Sequence, residues 1–228
     1  MLTRLFVILL AFVASISPAQ ALIVPFTEDF TSGASNWLNG SSAAPTWSAT
    51  GGVGGGGYIS APGAISAGGF GTIVFRGNGA ADASGDAFVG NWISGGVSTF
   101  SAYVSHDAPV ALNFYARLDA GAGRAGSSID FSVEPGSWFQ LNIPIAEPSF
   151  QSYGAAGTGT AAFNTVFSSI TNVQIALSAT QDPSTAGNTY NVALDKVSTV
   201  PEPRTFLLLT VAAVTCFAAR RRIRGARR

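Results

Sequence analysis

Cysteine is nearly absent from this 228-residue chain. Its single copy, Cys216, lies inside a C-terminal apolar run, so residues 22–199 carry neither a disulfide nor thiol chemistry. Histidine is equally scarce: His106 is the only one, which excludes a multi-histidine zinc site. It adjoins Asp107, but neighbours on a strand project to opposite faces, so the pair cannot form a relay by itself. Basic residues are also few. Between residues 22 and 199, Arg76, Arg117, Arg124 and Lys196 stand against eleven acidic residues, a net of −7. With no basic patch to release counterions from phosphate, nucleic acid is excluded as a partner. Sustained helical periodicity is missing too, because glycine or proline interrupts every long stretch. There is no G-x-S-x-G elbow. Gly52–Gly57 satisfies G-x-G-x-x-G formally, but polyglycine does so trivially and no helix follows. It reads as a flexible surface turn.

The two ends are a different material. Arg4 precedes the apolar run Leu5–Ala14, and Ala19-Gln20-Ala21 has the small-x-small form that signal peptidase accepts. Residues 1–21 therefore read as a signal peptide cleaved after Ala21. The alternative, an N-terminal anchor helix, has an apolar core short of the ~20 residues a span needs. At the other end come Pro201-Glu202-Pro203, the apolar run Thr205–Ala219, and Arg220, Arg221, Arg222, Arg224, Arg227 and Arg228. Two prolines make the tripeptide stiff and extended. The apolar run, at ~1.5 Å per residue, makes a helix of about 22 Å against a ~30 Å hydrocarbon core. Arg204 and Arg220 can snorkel to opposite interfaces while the bilayer thins. The terminal arginines hold that end in the cytoplasm, leaving residues 22–203 on the far side of the membrane.

This ordered set, residues 200–228, resembles the PEP-CTERM sorting signal of Gram-negative bacteria: motif 201–203, membrane helix 205–219, basic tail 220–228. The resemblance implies recognition by exosortase, a membrane cysteine protease, and processing near the motif. It also implies delivery to the cell surface or matrix, in association with exopolysaccharide and biofilm. A plain tail anchor with a coincidental Pro-Glu-Pro is the alternative.

The body, 22–199, reads as a single all-β domain. Expected strands are Tyr58–Ser60, Gly71–Arg76, Ala87–Gly90, Val97–Val104, Val110–Leu118, Ser128–Val133, Phe139–Ile143, Val173–Ala179 and Val192–Val197. The alternating sets Phe100/Ala102/Val104, Leu112/Phe114/Ala116 and Ile129/Phe131/Val133 each place apolar side chains on one face. Gly121, Gly123 and Gly126 mark a hairpin loop. One short helix is expected over Ala161–Ile170, where Phe163, Val166, Phe167 and Ile170 have helical spacing. Glu28-Asp29-Phe30 ahead of Trp37, and the closing Leu194-Asp195-Lys196-Val197, resemble the first and last strands of galactose-binding-like, carbohydrate-binding jelly rolls. The fold class expected is thus a jelly-roll-like β-sandwich between a signal peptide and a short C-terminal transmembrane helix. The resemblance implies that the first and last strands lie together and that Glu28, Asp29 and Asp195 hold a structural Ca²⁺, an ion suited to hard oxygen ligands. Lys196 stands where a second acid is common. Asp82–Asp86 lacks EF-hand spacing and reads as a solvated turn.

Aromatic residues supply the candidate glycan surface. Trp37, Trp47, Trp92 and Trp138, with Tyr58, Tyr103 and Tyr115, are flat amphipathic rings that stack on sugars when exposed and fill a core when buried. Two or three of the tryptophans are expected in the core, and Trp47 with Tyr58 is the expected stacking pair. The expected function is non-enzymatic: an exported surface or matrix protein whose β-domain binds polysaccharide, with signal peptidase and exosortase as processing partners. The alternative is a secreted hydrolase or lyase on the same scaffold, with Glu134 and Glu147 as the carboxylates available to it.

Overall fold

The computed structural model describes residues 22–201 except 68–70, 152, 180 and 181. The export signal, Glu202, Pro203, the apolar run and the terminal arginines lie outside the described residues. No helix among the described residues is long and apolar enough to cross a membrane.

Two antiparallel sheets pack face to face as a β-sandwich. In the first, β10 (Phe139–Pro144), β6 (Val97–His106), β13 (Thr189–Pro201), β4 (Tyr58–Ala64) and β3 (Thr46–Ser48) follow in that spatial order. β1 (Phe26–Glu28) also pairs with β13, setting Phe26 opposite Thr199 and Glu28 opposite Val197. The first and last strands therefore do lie together. In the second sheet the order is β11 (Phe150–Gln151), β8 (Ala125–Ser128), β7 (Leu112–Asp119), β12 (Asn172–Leu177), β5 (Thr72–Asn78) and β2 (Leu38–Asn39). β9 (Phe131–Val133) continues the β8 side of β7.

Strand parity sets the core. Phe100, Ala102 and Val104 of β6 face inward, as do Leu112, Phe114 and Ala116 of β7, all buried. Ile59 and Leu194 from the first sheet meet Phe75, Val173 and Ile175 from the second in the same cluster. Aromatic rings fill the rest: Phe30, Trp37 and Phe88 meet edge to face, and Trp92 packs on Phe100 and Phe167. Trp37 lies over Gly77, where an added Cβ would sit 2.8 Å from the indole. Helix α1 (Gly159–Phe167) buries Ala162, Phe163, Val166 and Phe167, the face its spacing predicts.

Two expected strands change form. Ala87–Gly90 is a turn: Asp82, Ser84, Gly85 and Asp86 all have left-handed backbones, and only Gly90 makes a bridge, to Ile170. The stretch Ser128–Val133 breaks between β8 and β9. The Ser128 hydroxyl takes the Ala116 N–H in place of a main-chain carbonyl, the strand bulges, and Ile129 points outward at 47% exposure.

Glu28 ties the N-terminal strand into the core. Its Oε1 accepts the Phe30 N–H (2.9 Å) and its Oε2 accepts the Ser84 hydroxyl (2.8 Å), which in turn accepts the Trp37 indole N–H (2.8 Å). Removing the carboxylate leaves two donors, the Phe30 N–H and the Ser84 hydroxyl, without their acceptor. Glu28→Ala is expected to lower unfolding free energy by about 2–4 kcal/mol, with Glu28→Gln intermediate, measured as urea midpoints.

Candidate functional site

The structure does not bring the expected calcium ligands together. Glu28 points inward to Ser84, whereas Asp195 projects from the outer face of the first sheet, beneath the glycine loop. Its Oδ2 accepts the Val53 N–H (2.7 Å) and its Oδ1 the Lys196 N–H (2.6 Å), and the residue is 0% exposed. Asp29 approaches Asp195 closely enough to raise its pKa, while its own Oδ1 caps Thr31 N–H. Among the described residues no three His, Cys, Asp or Glu side chains converge as a metal site. The set does not fit Ca²⁺, because all three carboxylates already accept N–H or O–H donors and Glu28 faces the opposite side of the sheet from Asp195.

The glycine loop is a pinned turn rather than a flexible one. Gly52 N–H bonds Gly56 carbonyl (2.9 Å), and Val53 is latched to Asp195. Gly52 passes so close that a Cβ there would sit 2.6 Å from Asp195 Oδ2. Burial holds the Asp195 pKa above its ordinary value, with the Asp29 charge adding to the rise and the two N–H bonds and Lys196 opposing it.

The expected stacking pair is also parted. Register sets Trp47 opposite Ile59, on the inward side of the sheet edge, and Tyr58 opposite Ser48, on the outward side. Trp47 is 39% exposed but its indole is tied to the Phe30 carbonyl (2.7 Å). Tyr58 meets Trp138 instead, edge to face with centroids 5.6 Å apart, and Trp138 is tied to Gly51 carbonyl (3.1 Å). The two rings face one another at 75° beside a hollow of about 320 Å³ that also reaches Asp107 and His106. Neither forms a flat platform. Trp37 and Trp92 are fully buried.

His106 is spent structurally. Buried against Phe114, its Nε2 meets Val133 carbonyl (2.9 Å), and its Nδ1 accepts the Ala108 N–H. Glu134 and Glu147 flank opposite ends of β10, whose length of about 20 Å exceeds the ~5–9 Å carboxylate separation of glycosidases.

The outer face of the second sheet carries a hollow beside β7. Outward residues of β7, namely Asn113, Tyr115, Arg117 and Asp119, run along that face at every second position. The hollow, of about 430 Å³, opens between Tyr115, Arg117, Ser127, Ile73 and Gly71. A separate hollow of about 260 Å³ is lined by Asn113, Ser132 and Ser178 together with Ile65, Leu112 and Leu177. Arg117 is fixed in place: its Nη1 donates to Asp119 Oδ2 (2.8 Å) and to Gln174 Oε1 (2.7 Å), and Asp119 Oδ1 accepts the Gly121 N–H. Burial pushes the Tyr115 phenol pKa up, with Arg117 opposing and the Asp130 carboxylate adding, so the hydroxyl stays a hydrogen-bond donor. Sequence reasoning had named Tyr115 as an aromatic and Arg117 only as a charge. Their shared outward parity was legible in the alternation of β7, but Gln174 reaches the same place only through the pairing of β12 with β7.

No family model and no curated protein matches this sequence. Several solved structures are similar to it. The N-terminal CBM22-1–GH10 modules of Clostridium thermocellum endo-1,4-β-D-xylanase 10B, complexed with xylohexaose, align at 15% identity and TM-score 0.48 over 78% of this chain and 28% of that one. This chain thus spans under a third of that structure's length. The C-terminal family 22 carbohydrate-binding module of Clostridium thermocellum Xyn10B aligns at 14% and 0.46, over 77% and 92%. The family 11 module of Clostridium thermocellum Lic26A-Cel5E aligns at 15% and 0.44, over 79% and 96%. At these levels no residue's role is carried across.

The Asp195 latch has a pH signature. Because its folded pKa is raised, its contribution to stability is fullest in acid and is lost as pH rises from the ordinary carboxylate value of 3.8 through the raised one. The margin in melting temperature of wild type over Asp195→Asn is therefore expected to shrink as pH rises through that window. A margin independent of pH would refute the assignment.

Proposed function

We propose that the body is a non-enzymatic, jelly-roll-like glycan-binding module that takes a linear polysaccharide along the outer face of the second sheet. The observation that carries this reading is the hollow on the outer face of the second sheet, where the half-buried ring of Tyr115 sits beside Arg117 and Ser127. Tyr115 offers an apolar ring edge and a polar tip, the combination that sugar rings require. Arg117 and Ser127 offer directed polar groups for hydroxyls.

The flanks supply the address. The N-terminal signal exports the chain, signal peptidase trims it, and the C-terminal helix holds it in the membrane until an exosortase-type enzyme acts at Pro201-Glu202-Pro203. The protein then belongs to the cell surface or the exopolysaccharide matrix of a biofilm, where a polysaccharide-binding sandwich has its ligand at hand.

Affinity electrophoresis of the full-length chain in a sugar-free detergent, through gels holding a panel of linear polysaccharides, tests the module. At least one polysaccharide is expected to retard the wild type, and Tyr115→Ala is expected to weaken that binding about tenfold, ~1.4 kcal/mol. Retardation by no member of the panel would sink the reading. For the address, Glu202→Ala with Pro203→Ala is expected to leave the unprocessed chain in the membrane fraction, seen as a larger band on immunoblots. Pro201 is kept because it pairs with Val97 at the end of β13. Unaltered processing would point to a plain tail anchor.

A further inference from the structure

Six large apolar residues stand exposed among the described residues, and three of them, Ile23 (48%), Ile93 (46%) and Val200 (43%), belong to one end of the first sheet. Register brings them there. β6 begins at Val97 where β13 ends at Pro201, and the two residues are paired. Val200 lies opposite Thr99, and its carbonyl accepts the Ser98 hydroxyl (3.2 Å). Ile93 sits in the turn that feeds β6, closed by the Val97 N–H on the Trp92 carbonyl (3.0 Å) and the Gly96 N–H on the Ile93 carbonyl (3.1 Å). Leu22 covers the same turn, where a Cβ on Gly95 would sit 2.5 Å from its side chain. The Ile23 carbonyl accepts the Thr199 hydroxyl (3.4 Å), and the Ile23 N–H reaches the Ala87 carbonyl (3.3 Å). All three apolar side chains thus ride on hydrogen-bonded backbone.

This end is also uncharged, in a body of net −7. No Asp, Glu, Lys or Arg falls in 22–27, 87–101, 143–146 or 197–201, the segments that build it. Apolar side chains gathered in water mark a contact surface, because covering them is favourable. Chain length identifies what covers these. From Pro201 only three residues lead to the apolar run at Thr205, a reach of at most about 14 Å at full extension. A headgroup layer is about 5–7 Å deep. Once that run enters a bilayer, the end of β13 cannot stand clear of the lipid surface, and a protein partner would have to fit between the two. An end without carboxylates also meets anionic headgroups without repulsion.

We propose that this end of the sandwich docks on the bilayer, with Ile23, Ile93 and Val200 buried in the headgroup layer. The strands of the first sheet then rise from the membrane, and Pro201 is held at its surface, where a membrane protease cuts. The far end of β6, at His106, stands about 30 Å away along the strand. This rests on the membrane-helix reading of residues 205–219 and adds which face of the domain meets lipid.

Fluorescence quenching on the full-length chain, reconstituted in phosphatidylcholine–phosphatidylglycerol vesicles, tests it. Cys216→Ala removes the native thiol. A fluorophore is then attached at Ser94→Cys, exposed beside the patch, or at Ser137→Cys, exposed at the far end, where the Gly136 N–H bonds the His106 carbonyl. Lipids carrying a headgroup nitroxide are expected to quench the Ser94 label several-fold more than the Ser137 label. Ile23→Ser with Ile93→Ser and Val200→Ser is expected to cancel most of that difference while the chain stays in the vesicles. Equal quenching at the two sites overturns the proposal, as does a difference that survives the triple replacement. If unlabelled Ser94→Cys chains cross-link to one another and lipid does not quench, a second copy covers the patch and the proposal falls. The comparison of the two sites is made with the patch intact, so it holds even if the triple variant fails to fold. If the chain resists carbonate extraction but both labels are quenched alike, the docked face falls and the membrane helix stands. If carbonate extracts the chain, both fall.

Discussion

Everything in the first sheet hangs on one strand. β13 is hydrogen-bonded to β6 along one edge and to β4 and β1 along the other, so the last described residues form the spine on which the first ones close. Because β13 contains Asp195, the same strand also anchors the glycine loop, and through Gly51 the Trp138 indole. The contacts are long-range: Phe26 meets Thr199 and Val53 meets Asp195. A sandwich of this kind cannot complete its first sheet until its C-terminal strand is present, and non-local pairing of this order makes closure a late event. Its last strand ends at Pro201, the first residue of the Pro-Glu-Pro tripeptide, so the folded domain would share a residue with the proposed sorting signal.

Acidic side chains in this protein serve mainly as internal acceptors. Glu28 gathers donors from Phe30 and Ser84, Asp195 latches Val53, and Asp119 orients both Arg117 and the hairpin glycine. A composition of −7 invites thoughts of metal, but these carboxylates are spent on N–H and O–H partners and no three His, Cys, Asp or Glu side chains among the described residues converge. Glu28 and Asp195 thus face opposite sides of the first sheet rather than one shared point.

Much of the fold was legible locally. The inward faces of β6 and β7, the hydrophobic side of α1 and the hairpin glycines follow from periodicity of two or 3.6 residues, which depends only on backbone geometry. Ser128–Val133 misled because a serine hydroxyl, acting as a main-chain surrogate, breaks the alternation after Ser128. Ala87–Gly90 misled because its apolar residues are buried by a turn rather than a strand. Trp47 and Tyr58 misled for a further reason. Trp47 is exposed as its surroundings imply, but the pairing of β3 with β4 sends the two rings to opposite sides of the sheet.

Taken alone, the amino-acid sequence determined the division into two apolar, charged ends and a disulfide-free β-rich body, and it determined which residues of each strand share a face. These are properties of composition and of short periods along the chain. Only the tertiary structure decided which outward residues from different strands meet. Arg76, Arg117 and Gln174 are separated by dozens of positions, and their common row exists because β5 and β7 both pair with β12 in a particular register. A one-residue slip in either pairing would turn the row's side chains to the other face. Register is set by the sum of contacts across the whole sandwich, and no local stretch of sequence contains that sum.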